Sequence, residues 1–273
     1  MSAGELSRRP AAAVKDSRAA PVIVLAYAGS GSDQLRSLLA RFAGLTCTTG
    51  TGIVLLCHQA LTAWQVVDGR PGGPSSPLGV ASVRTFNAGL ITAIMARDGG
   101  SRWCEFSSAP PVTARAFARV YPQARFLIVH RRSDAVVRAL IDANRWGLSG
   151  PEFAPFVSAH PASTVAALTG YWIARTTQQI EFRQAHPGSC LPIRIEDLGS
   201  DPAEVIMNIS EFISAALADG PALLTEAPDG GGSAAQEPSP DRLPLDQIPP
   251  ASLERLNDLH RELGYAPLTQ APS

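Results

Sequence analysis

Apolar and polar residues along this chain follow two alternating patterns, one typical of strands and one typical of helices. Apolar, β-favouring runs predict strands at Val22–Ala26, Arg102–Phe106, Ala124–His130 and Cys190–Ile195. Between them, apolar residues recur every three or four positions, which predicts helices. We expect helices at about Asp33–Phe42, Gly52–Val67, Ser82–Arg97, Val112–Val120, Thr164–Ala185, Asp201–Leu217 and Ala251–Leu263, and another that begins at about Ser133. This alternation predicts an α/β fold, a three-layer parallel sheet with helices on both faces.

Two segments lack this periodicity. Residues 1–20 are rich in alanine, serine and charge, so we expect a disordered amino-terminal tail there. Residues 226–244 carry many glycines, prolines and serines, which is typical of a flexible insertion. The remaining length suits a single domain, spanning residues 21–273, with one substantial core.

Composition argues against several classes of function. The net charge is −1, so nothing favours binding to nucleic acid or to an acidic membrane. We find no apolar run close to the roughly 18–20 residues of a membrane span and no apolar segment typical of a secretory signal. The four cysteines lack metal-ligand spacing, so we expect no metal and reduced thiols in a cytoplasmic protein. Lys15 is the only lysine, so cations in a functional site must be arginines.

The first predicted strand ends in a turn rich in glycine and serine, and a helix follows. Gly29 and Gly31 allow backbone conformations closed to other residues, and Ser30 and Ser32 add hydroxyl donors. Successive amides in such a turn and at the helix start form a concave site for an anion. The alternative is a helix entrance capped by Ser32 or Asp33, with no ligand. A nucleoside-triphosphatase loop is excluded, because its lysine and its glycine spacing are absent.

Two arginines follow the most apolar predicted strand. Arg131 and Arg132 lie where the strand ending at His130 gives way to a helix. Because ligands of parallel α/β sheets bind at the carboxyl ends of strands, we expect both guanidiniums beside the glycine turn. There they would form a fork for a second phosphate. The alternative is a solvated arginine pair at a strand terminus, and His130 is more typical of a packed core histidine than of a base.

Together these segments resemble the sulfotransferase family, whose donor is 3′-phosphoadenosine 5′-phosphosulfate. "AGSGSDQLRSLL" (Ala28–Leu39) is similar to the family loop "PRSGTTLLRALL". "RWCEF" and "YPQARFLIVHRR" follow the layout of the family's "W-x-E-K-T-P", helix and "FPDARFIHLHRDP". "RIEDLGSDP" (Arg194–Pro202) is similar to "R-Y-E-D-L-x-x-D-P", and a chain end near "LGY" (Leu263–Tyr265) is also common. The resemblance covers about residues 21–215.

The resemblance implies a P-loop nucleoside-kinase-like fold and the transfer of a sulfuryl group from that donor to a hydroxyl or amine of a small-molecule acceptor. It implies that the loop cradles the 5′-phosphosulfate through Gly29, Ser30, Gly31, Ser32 and Asp33. Arg131 would then hold the 3′-phosphate, and Glu105 would take the acceptor's proton. The alternative for Glu105 is a structural glutamate paired with a loop arginine, and Glu196 and Asp197 are expected to be structural.

Several positions depart from the family pattern, most of them at sites that contact the nucleotide. They are Gly29 for the usual loop cation, Asp33 for a threonine, Phe106 for a lysine, Ala139 for a serine and Ile195 for a tyrosine. An arginine from elsewhere would then supply the missing charge, and the candidates are Arg36, Arg132 and Arg138. The alternative is that the protein is a catalytically degenerate nucleotide- or partner-binding protein. In the degenerate case, Gly29→Arg or Gly29→Lys should raise transfer. If another arginine already fills the role, the same change should do little or cause harm.

The acceptor would contact the segments that vary most in such a fold, Cys47–Gln65 and Asn144–Val165. Four aromatic residues either line an apolar acceptor cleft there or pack as core and lid: Trp64, Trp146, Phe153 and Phe156. Neither segment carries the basic strip expected for an anionic polysaccharide, so a hydroxylated small molecule is the favoured acceptor. The oligomeric state is not readable from the sequence.

Overall fold

The computed structural model describes residues 20–218 and 243–269. Nearly all of the predicted tail at 1–20 and most of the predicted insertion at 226–244 therefore lie outside the described residues. Both assignments stay predictions.

The centre of the fold is a five-stranded sheet in which every pairing is parallel. Its strands are β1 (Val22–Leu25), β2 (Leu45–Thr49), β3 (Arg102–Ser107), β4 (Arg125–His130) and β5 (Cys190–Arg194). Their order across the sheet is β2-β3-β1-β4-β5. The chain crosses from one side of β1 to the other between β3 and β4. The crevice at the carboxyl ends of β1 and β4 is therefore a topological switch point, where such sheets bind ligands.

Helices connect the strands and cover the sheet. They are α1 (Ser32–Leu39), α2 (Ile53–Val67), α3 (Pro77–Asp98), α4 (Pro111–Val120), α5 (Ser133–Ala143), α6 (Ala154–Ala159), α7 (Thr164–Ala185), α8 (Asp197–Ser200), α9 (Pro202–Ile213) and α10 (Pro250–Glu262), with a 3₁₀ turn at Leu245–Gln247. Side chains alternate along β1, so Val22 and Val24 pack against α1 and α9 while Ile23 and Leu25 pack against α2, α4 and α7. Two buried clusters, one on each face, confirm the predicted three-layer α/β fold.

The structure differs from the sequence prediction at several elements. The short strand β2 and the helices α6 and α8 were not predicted, and α9 ends at Ile213, four residues before the predicted end. The third helix begins at Pro77, five residues before the predicted start. Ser76 caps it, since its hydroxyl accepts a hydrogen bond from the Gly79 amide at 3.0 Å, and Pro77 occupies the first turn, where its missing N–H does no harm.

This earlier start gives α3 22 residues. Within the described part of the chain, α3 is the one helix long and apolar enough to cross a membrane by length and composition. A single such helix is weak evidence for a membrane span, and the expectation of no membrane partner stays a prediction. The four cysteines carry free thiols, while the predicted cytoplasmic location is not tested by this observation.

Candidate functional site

The turn after β1 is held by hydrogen bonds within its own backbone and by one hydrogen bond to a side chain of α7. Gly29 and Gly31 both have positive φ, 81° and 72°. The Ser30 amide donates to the carbonyl of Tyr27 at 3.0 Å, and the buried Ser30 hydroxyl accepts from the Tyr27 amide at 3.4 Å. The Ala28 amide donates to the hydroxyl of Tyr171 on α7 at 3.2 Å. The sequence thus folds into a tight, glycine-dependent loop with a fixed shape.

Helix α1 begins directly after this loop with no side chain over its amides. Gly31 is the N-cap residue and no side chain caps the helix, while Ser32 and Asp33 already lie in its first turn. The interpretation of the segment as a helix entrance capped by Ser32 or Asp33 is therefore wrong. The carboxylate of Asp33 instead accepts from Arg36 at 2.6 Å. The first amides of α1 are left available to an anion at the carboxyl edge of the sheet.

Arg131 lies against the loop, although 102 residues separate it from Gly29. Its Nη1 donates to the Gly29 carbonyl oxygen at 3.0 Å. A Cβ added at Gly31 would lie 3.5 Å from the same Nη1 and 3.3 Å from Cγ2 of Ile195. The Arg131 carbonyl accepts from the indole N–H of Trp172 on α7 at 3.0 Å. The structure therefore brings together the turn and the arginine that the sequence predicted to be neighbours.

The other two candidate arginines share one carboxylate. Arg132 Nε lies 3.1 Å from Oδ1 of Asp134, and Arg138 Nη2 lies 2.8 Å from Oδ2 of the same residue. Arg138 Nε also donates to the Asp134 carbonyl at 3.2 Å. In this conformation the Arg138 guanidinium is directed at Asp134. A contact between Arg138 and the nucleotide stays a prediction. To make that contact, Arg138 would have to use N–H donors other than those that bind Asp134.

The segment "RIEDL" connects β5 to the carboxyl-terminal segment. Arg194 binds Asp197 through Nη2 and Nε, at 2.6 and 2.9 Å, and donates through Nη1 to the Gly264 carbonyl at 3.0 Å. Glu196 accepts from the Arg132 amide at 2.9 Å and from the Tyr265 hydroxyl at 3.0 Å. These contacts support a structural role for Glu196 and Asp197. They also explain why "LGY" accompanies this motif, since both hold the carboxyl end of β4.

His260 is a buried residue whose hydrogen bonds could not be predicted from the sequence. Its Nδ1 lies 3.0 Å from the Ala266 carbonyl oxygen, so Nδ1 carries the proton and donates. Its Nε2 then accepts from the hydroxyl of Ser133, 2.9 Å away, at the first turn of α5. Burial is the main cause that lowers the pKa of His260. This residue joins α10 to the start of α5 beside Arg132, and no nearby sequence pattern signalled the pairing.

Glu105 lies on the other face of the sheet, where α2 packs. It is 2% exposed and stands in register with Ile23 on one side and Thr48 on the other. Its carboxylate lies 2.5 Å from the hydroxyl of Thr48 and accepts from the Thr51 amide at 3.1 Å. Its hydrogen-bond partners are therefore threonines rather than a loop arginine. Burial raises the pKa of Glu105, and the hydrogen bonds from Thr48 and Thr51 oppose that effect.

Thr48 links the Glu105 carboxylate to the backbone and to Trp103 of β3. The Thr48 hydroxyl accepts from the indole N–H of Trp103 at 2.9 Å and lies 3.0 Å from the Cys104 carbonyl oxygen. A hydroxyl has one proton to donate. The nearer of its two possible acceptors is the Glu105 carboxylate at 2.5 Å, so Thr48 donates there. The missed strand β2 therefore supplies the groups that surround the candidate base.

His130 is a core histidine in this structure. It is almost fully buried, and within residues 20–218 and 243–269 neither ring nitrogen has a hydrogen-bond partner. Burial, with a smaller contribution from Arg183, lowers its pKa to about 3. It is therefore neutral at physiological pH, as the sequence interpretation of a packed core residue expects.

The aromatic residues assigned to the acceptor region divide into two groups. Phe153 and Phe156 pack edge-on against Tyr171, the residue that supports the loop, with ring centroids 4.9 and 5.7 Å away. Trp64 is half-buried beneath α3, whereas Trp146 is fully exposed. The packing of Phe153, Phe156 and Trp64 agrees with the alternative of core and lid. Among the described residues, no group of three histidines, cysteines or carboxylates could hold a metal ion.

Position 29 has little room for a side chain in this backbone. A Cβ added at Gly29 would lie 3.0 Å from Cγ of Leu140 and 3.1 Å from Cγ1 of Val136, both on α5. The positive φ of Gly29 adds strain for any side chain. Gly29→Arg would therefore require Leu140 and Val136 to shift, and its effect on transfer stays a prediction.

Comparisons with known proteins agree with this geometry. The sequence model of the sulfotransferase family matches residues 21–219. A sulfotransferase domain from the curacin biosynthetic pathway superposes with a TM-score of 0.59 at 12% identity, covering 93% of this chain and 99% of that one. A sulfotransferase domain from the Synechococcus PCC 7002 olefin synthase gives 0.54 at 16% identity, with 93% and 97% covered. Sulfotransferase STF9 from Mycobacterium avium gives 0.50 at 14% identity, with 90% and 76% covered. At these identities the structures show a shared fold, and no curated protein sequence matches this chain significantly.

Proposed function

This chain belongs to the sulfotransferase family, and on that premise we propose that it transfers a sulfuryl group from 3′-phosphoadenosine 5′-phosphosulfate to a hydroxyl or amine of a small-molecule acceptor. The observation that carries the proposal is the hydrogen bond between Arg131 and Gly29, which places a guanidinium beside an uncapped helix start. When bound, the donor supplies an activated sulfuryl group whose leaving group is a nucleotide phosphate.

The loop has the features that a phosphate requires. Gly31 leaves open the space next to Arg131 and Ile195 that a Cβ would fill. The free amides at the start of α1 point to the carboxyl edge of the sheet, where they and the helix dipole favour an anion. We assign the 5′-phosphosulfate to the loop Gly29–Asp33, through the amides of Gly29, Gly31, Ser32 and Asp33. Ser30, whose amide already donates to the Tyr27 carbonyl, holds the shape of that loop.

We assign the 3′-phosphate to Arg131. A guanidinium has five N–H donors, and the bond to Gly29 uses one of them. The others remain for a bidentate contact with a phosphate, which is the contact that a planar guanidinium makes best. The bond to Gly29 and the indole N–H of Trp172 on the Arg131 carbonyl hold the residue in place before any ligand arrives.

Arg36 is the residue we propose for the missing loop cation. It lies on the outer side of the first turns of α1, where its exposed partner Asp33 occupies the position of a family threonine. Arg132 and Arg138 are less suited, because both contact the less exposed Asp134. Charge on the leaving phosphate would then be balanced by Arg36 and by the amides of α1, with Asp33 reducing that effect.

Glu105 is the proposed base. Burial raises the pKa of Glu105, which makes its carboxylate a stronger base than that of an exposed glutamate. The loop Gly50–Gly52, whose Thr51 amide holds the carboxylate, separates Glu105 from the carboxyl edge of the sheet. For direct proton transfer this loop must move aside, so that the acceptor hydroxyl comes within hydrogen-bond distance of the carboxylate.

A transfer assay with labelled donor and a panel of phenols and aliphatic alcohols tests the proposal. We expect label to appear in at least one acceptor with the wild-type protein and to be lost in Glu105→Gln. Binding of 3′-phosphoadenosine 5′-phosphate is measured in parallel. If the protein binds this nucleotide tightly but transfers to none of the acceptors, the degenerate binding protein is the better description.

A further inference from the structure

Helices α2 and α3 expose a face that has almost no charge. Helix α2 has no charged residue among its 15, and α3 has only Arg84 before its last two residues, Arg97 and Asp98. Arg84 is directed away, since its Nε donates to the Val120 carbonyl of α4 at 2.8 Å. We call the exposed surface of both helices the α2–α3 face. Its large apolar side chains are Leu55, Leu56, Val66, Val67, Leu78 and Phe86.

The outward side of α3 is lined by small residues. At spacings of three and four, the exposed positions are Ala81, Thr85, Ala88, Gly89, Thr92 and Ala96. Gly89 has no described atom within 4 Å of the place where its Cβ would be. A glycine inside a helix costs about 1 kcal/mol relative to alanine, and no described residue of its own chain packs into the space of the missing side chain. Close approach of a second helix backbone would use it.

The chemistry of this face favours a second copy of the chain over other occupants. An acidic partner or an anionic lipid surface needs exposed lysine or arginine, and the α2–α3 face offers almost none. Insertion into a membrane surface is favoured by large side chains such as Phe, Leu and Trp. Helix α3 exposes Leu78 and Phe86 of this kind, and its other exposed positions are mainly Ala, Thr and Gly. An identical face is neutral as well and has the same small-residue stripe, so two copies can pack α3 against α3.

The size of the face is sufficient for a dimer only when both helices take part. At a rise of 1.5 Å per residue, α3 is about 33 Å long and α2 about 22 Å, and each is about 10 Å wide. The two strips bury about 550 Å² per protomer, or about 1,100 Å² in total, just above the roughly 1,000 Å² that a specific interface needs. Helix α3 alone would bury about 660 Å², which is the size of a non-specific contact.

We propose that the α2–α3 face is a symmetric homodimer interface, in which the α3 helices of two protomers pack antiparallel along their length and approach closest at Gly89. A two-fold axis places the same patch on both protomers, so one uncharged face satisfies the other. The interface does not depend on the proposed reaction. It lies on the layer of helices that covers Glu105, away from the loop after β1.

Sedimentation velocity and light scattering of the full chain test this proposal. We expect the wild type at micromolar concentration to have twice the chain mass of 28.7 kDa. Gly89→Arg should give a monomer, because Arg has open space in the protomer and is a better helix former than glycine but blocks the approach of α3. Val66→Glu on α2, at a residue 63% exposed, should weaken the dimer independently. Far-UV circular dichroism checks that both variants are folded.

Ala185→Arg is the matched control, since it places the same charge at an exposed position at the end of α7. It should remain a dimer. A wild type that is monomeric at all micromolar concentrations would overturn the proposal, as would a dimer that persists in both Gly89→Arg and Val66→Glu. Co-sedimentation of a monomeric wild type with phosphatidylcholine vesicles would overturn it in favour of a membrane-binding face.

Discussion

Arg131 donates a hydrogen bond to the carbonyl oxygen of Gly29 at 3.0 Å, which fixes the end of β4 against the loop that follows β1. This contact joins the two central strands at the point where ligands bind in such sheets. The guanidinium and the uncapped start of α1 then face the same edge. The predictions below concern what this pair of features can hold and how the rest of the site supports it.

The first prediction concerns the space at Gly31. Gly31→Ala should lower the affinity for 3′-phosphoadenosine 5′-phosphate at least tenfold, because the new methyl would occupy the cradle between Arg131 and Ile195. Gly50→Ala is the matched control, since Gly50 has φ of 67° and open space around it. Both variants should lose about 1–2 kcal/mol of stability from the left-handed backbone. Calorimetry should find nucleotide binding impaired only at Gly31, and equal affinity in the two variants would exclude a ligand at this turn.

The second prediction concerns Asp33. Asp33→Asn removes a carboxylate from the first turn of α1 and releases Arg36 from its 2.6 Å ion pair. We expect the nucleotide to bind about two- to fivefold more tightly, which is the scale of exposed charge interactions. The gain should shrink in high salt. Asp142→Asn, at an exposed position late in α5, makes the same charge change and should leave binding unaltered. Weaker binding in Asp33→Asn would show that the carboxylate orders the loop instead.

The third prediction concerns the protonation of Glu105. Because burial raises its pKa, the folded protein keeps this proton to higher pH than the unfolded chain does. Glu105 therefore lowers stability as pH rises above about 4.3 through the raised folded value. Glu105→Gln can make the same hydrogen bonds without ionising. Its melting temperature relative to wild type should rise over that pH window, and a constant difference from pH 4 to pH 8 would contradict the raised pKa.

Turnover measurements test the proposed role of Glu105 as a base. If it accepts the acceptor's proton, Glu105→Gln should reduce turnover by about two to four orders of magnitude, the range for loss of a general base. Nucleotide affinity should stay the same, because Glu105 lies on the other face of the sheet from α1. Unchanged turnover in a folded variant would leave Glu105 as a structural residue of β3.

The fourth prediction concerns position 29. Gly29→Arg should destabilise the protein and should not raise transfer, because its side chain would collide with Leu140 and Val136 of α5. A thermal melt reports the loss of stability. A stable variant with faster transfer would mean that the loop adopts another backbone conformation and that the wild type lacks a cation it needs.

Most of the fold could be predicted from the sequence, because the spacing of apolar residues differs clearly between the strands and the helices of this chain. The exact bounds of α7, Thr164–Ala185, were predicted from period alone. Strand β2 was missed because "LTCTT" lies between a glycine and a glycine-rich turn and is half polar, so its pairing with β3 decides its structure. Tertiary pairing is not visible in local sequence.

Some features of the candidate site could likewise be predicted from the sequence, and others could not. Gly29, Gly31 and Arg131 could be predicted, because strand ends and glycines mark them in the sequence. The ion pair between Asp33 and Arg36, and the contact between His260 and Ser133, depend on side-chain direction and on long-range packing. The orientation of Gly29 toward α5 likewise required the backbone.

Calorimetric titration of Arg131→Ala tests the central claim most directly, with 3′-phosphoadenosine 5′-phosphate and AMP as the two ligands. Loss of a bidentate contact with a phosphate costs about 1.5–3 kcal/mol, or a tenfold to roughly hundredfold loss of affinity. We predict this loss for the bisphosphate and a much smaller one for AMP, which has no 3′-phosphate. Arg125→Ala, at the other end of β4, should change neither. Equal losses for both ligands in Arg131→Ala, or no binding of the bisphosphate by the wild type, would contradict the account.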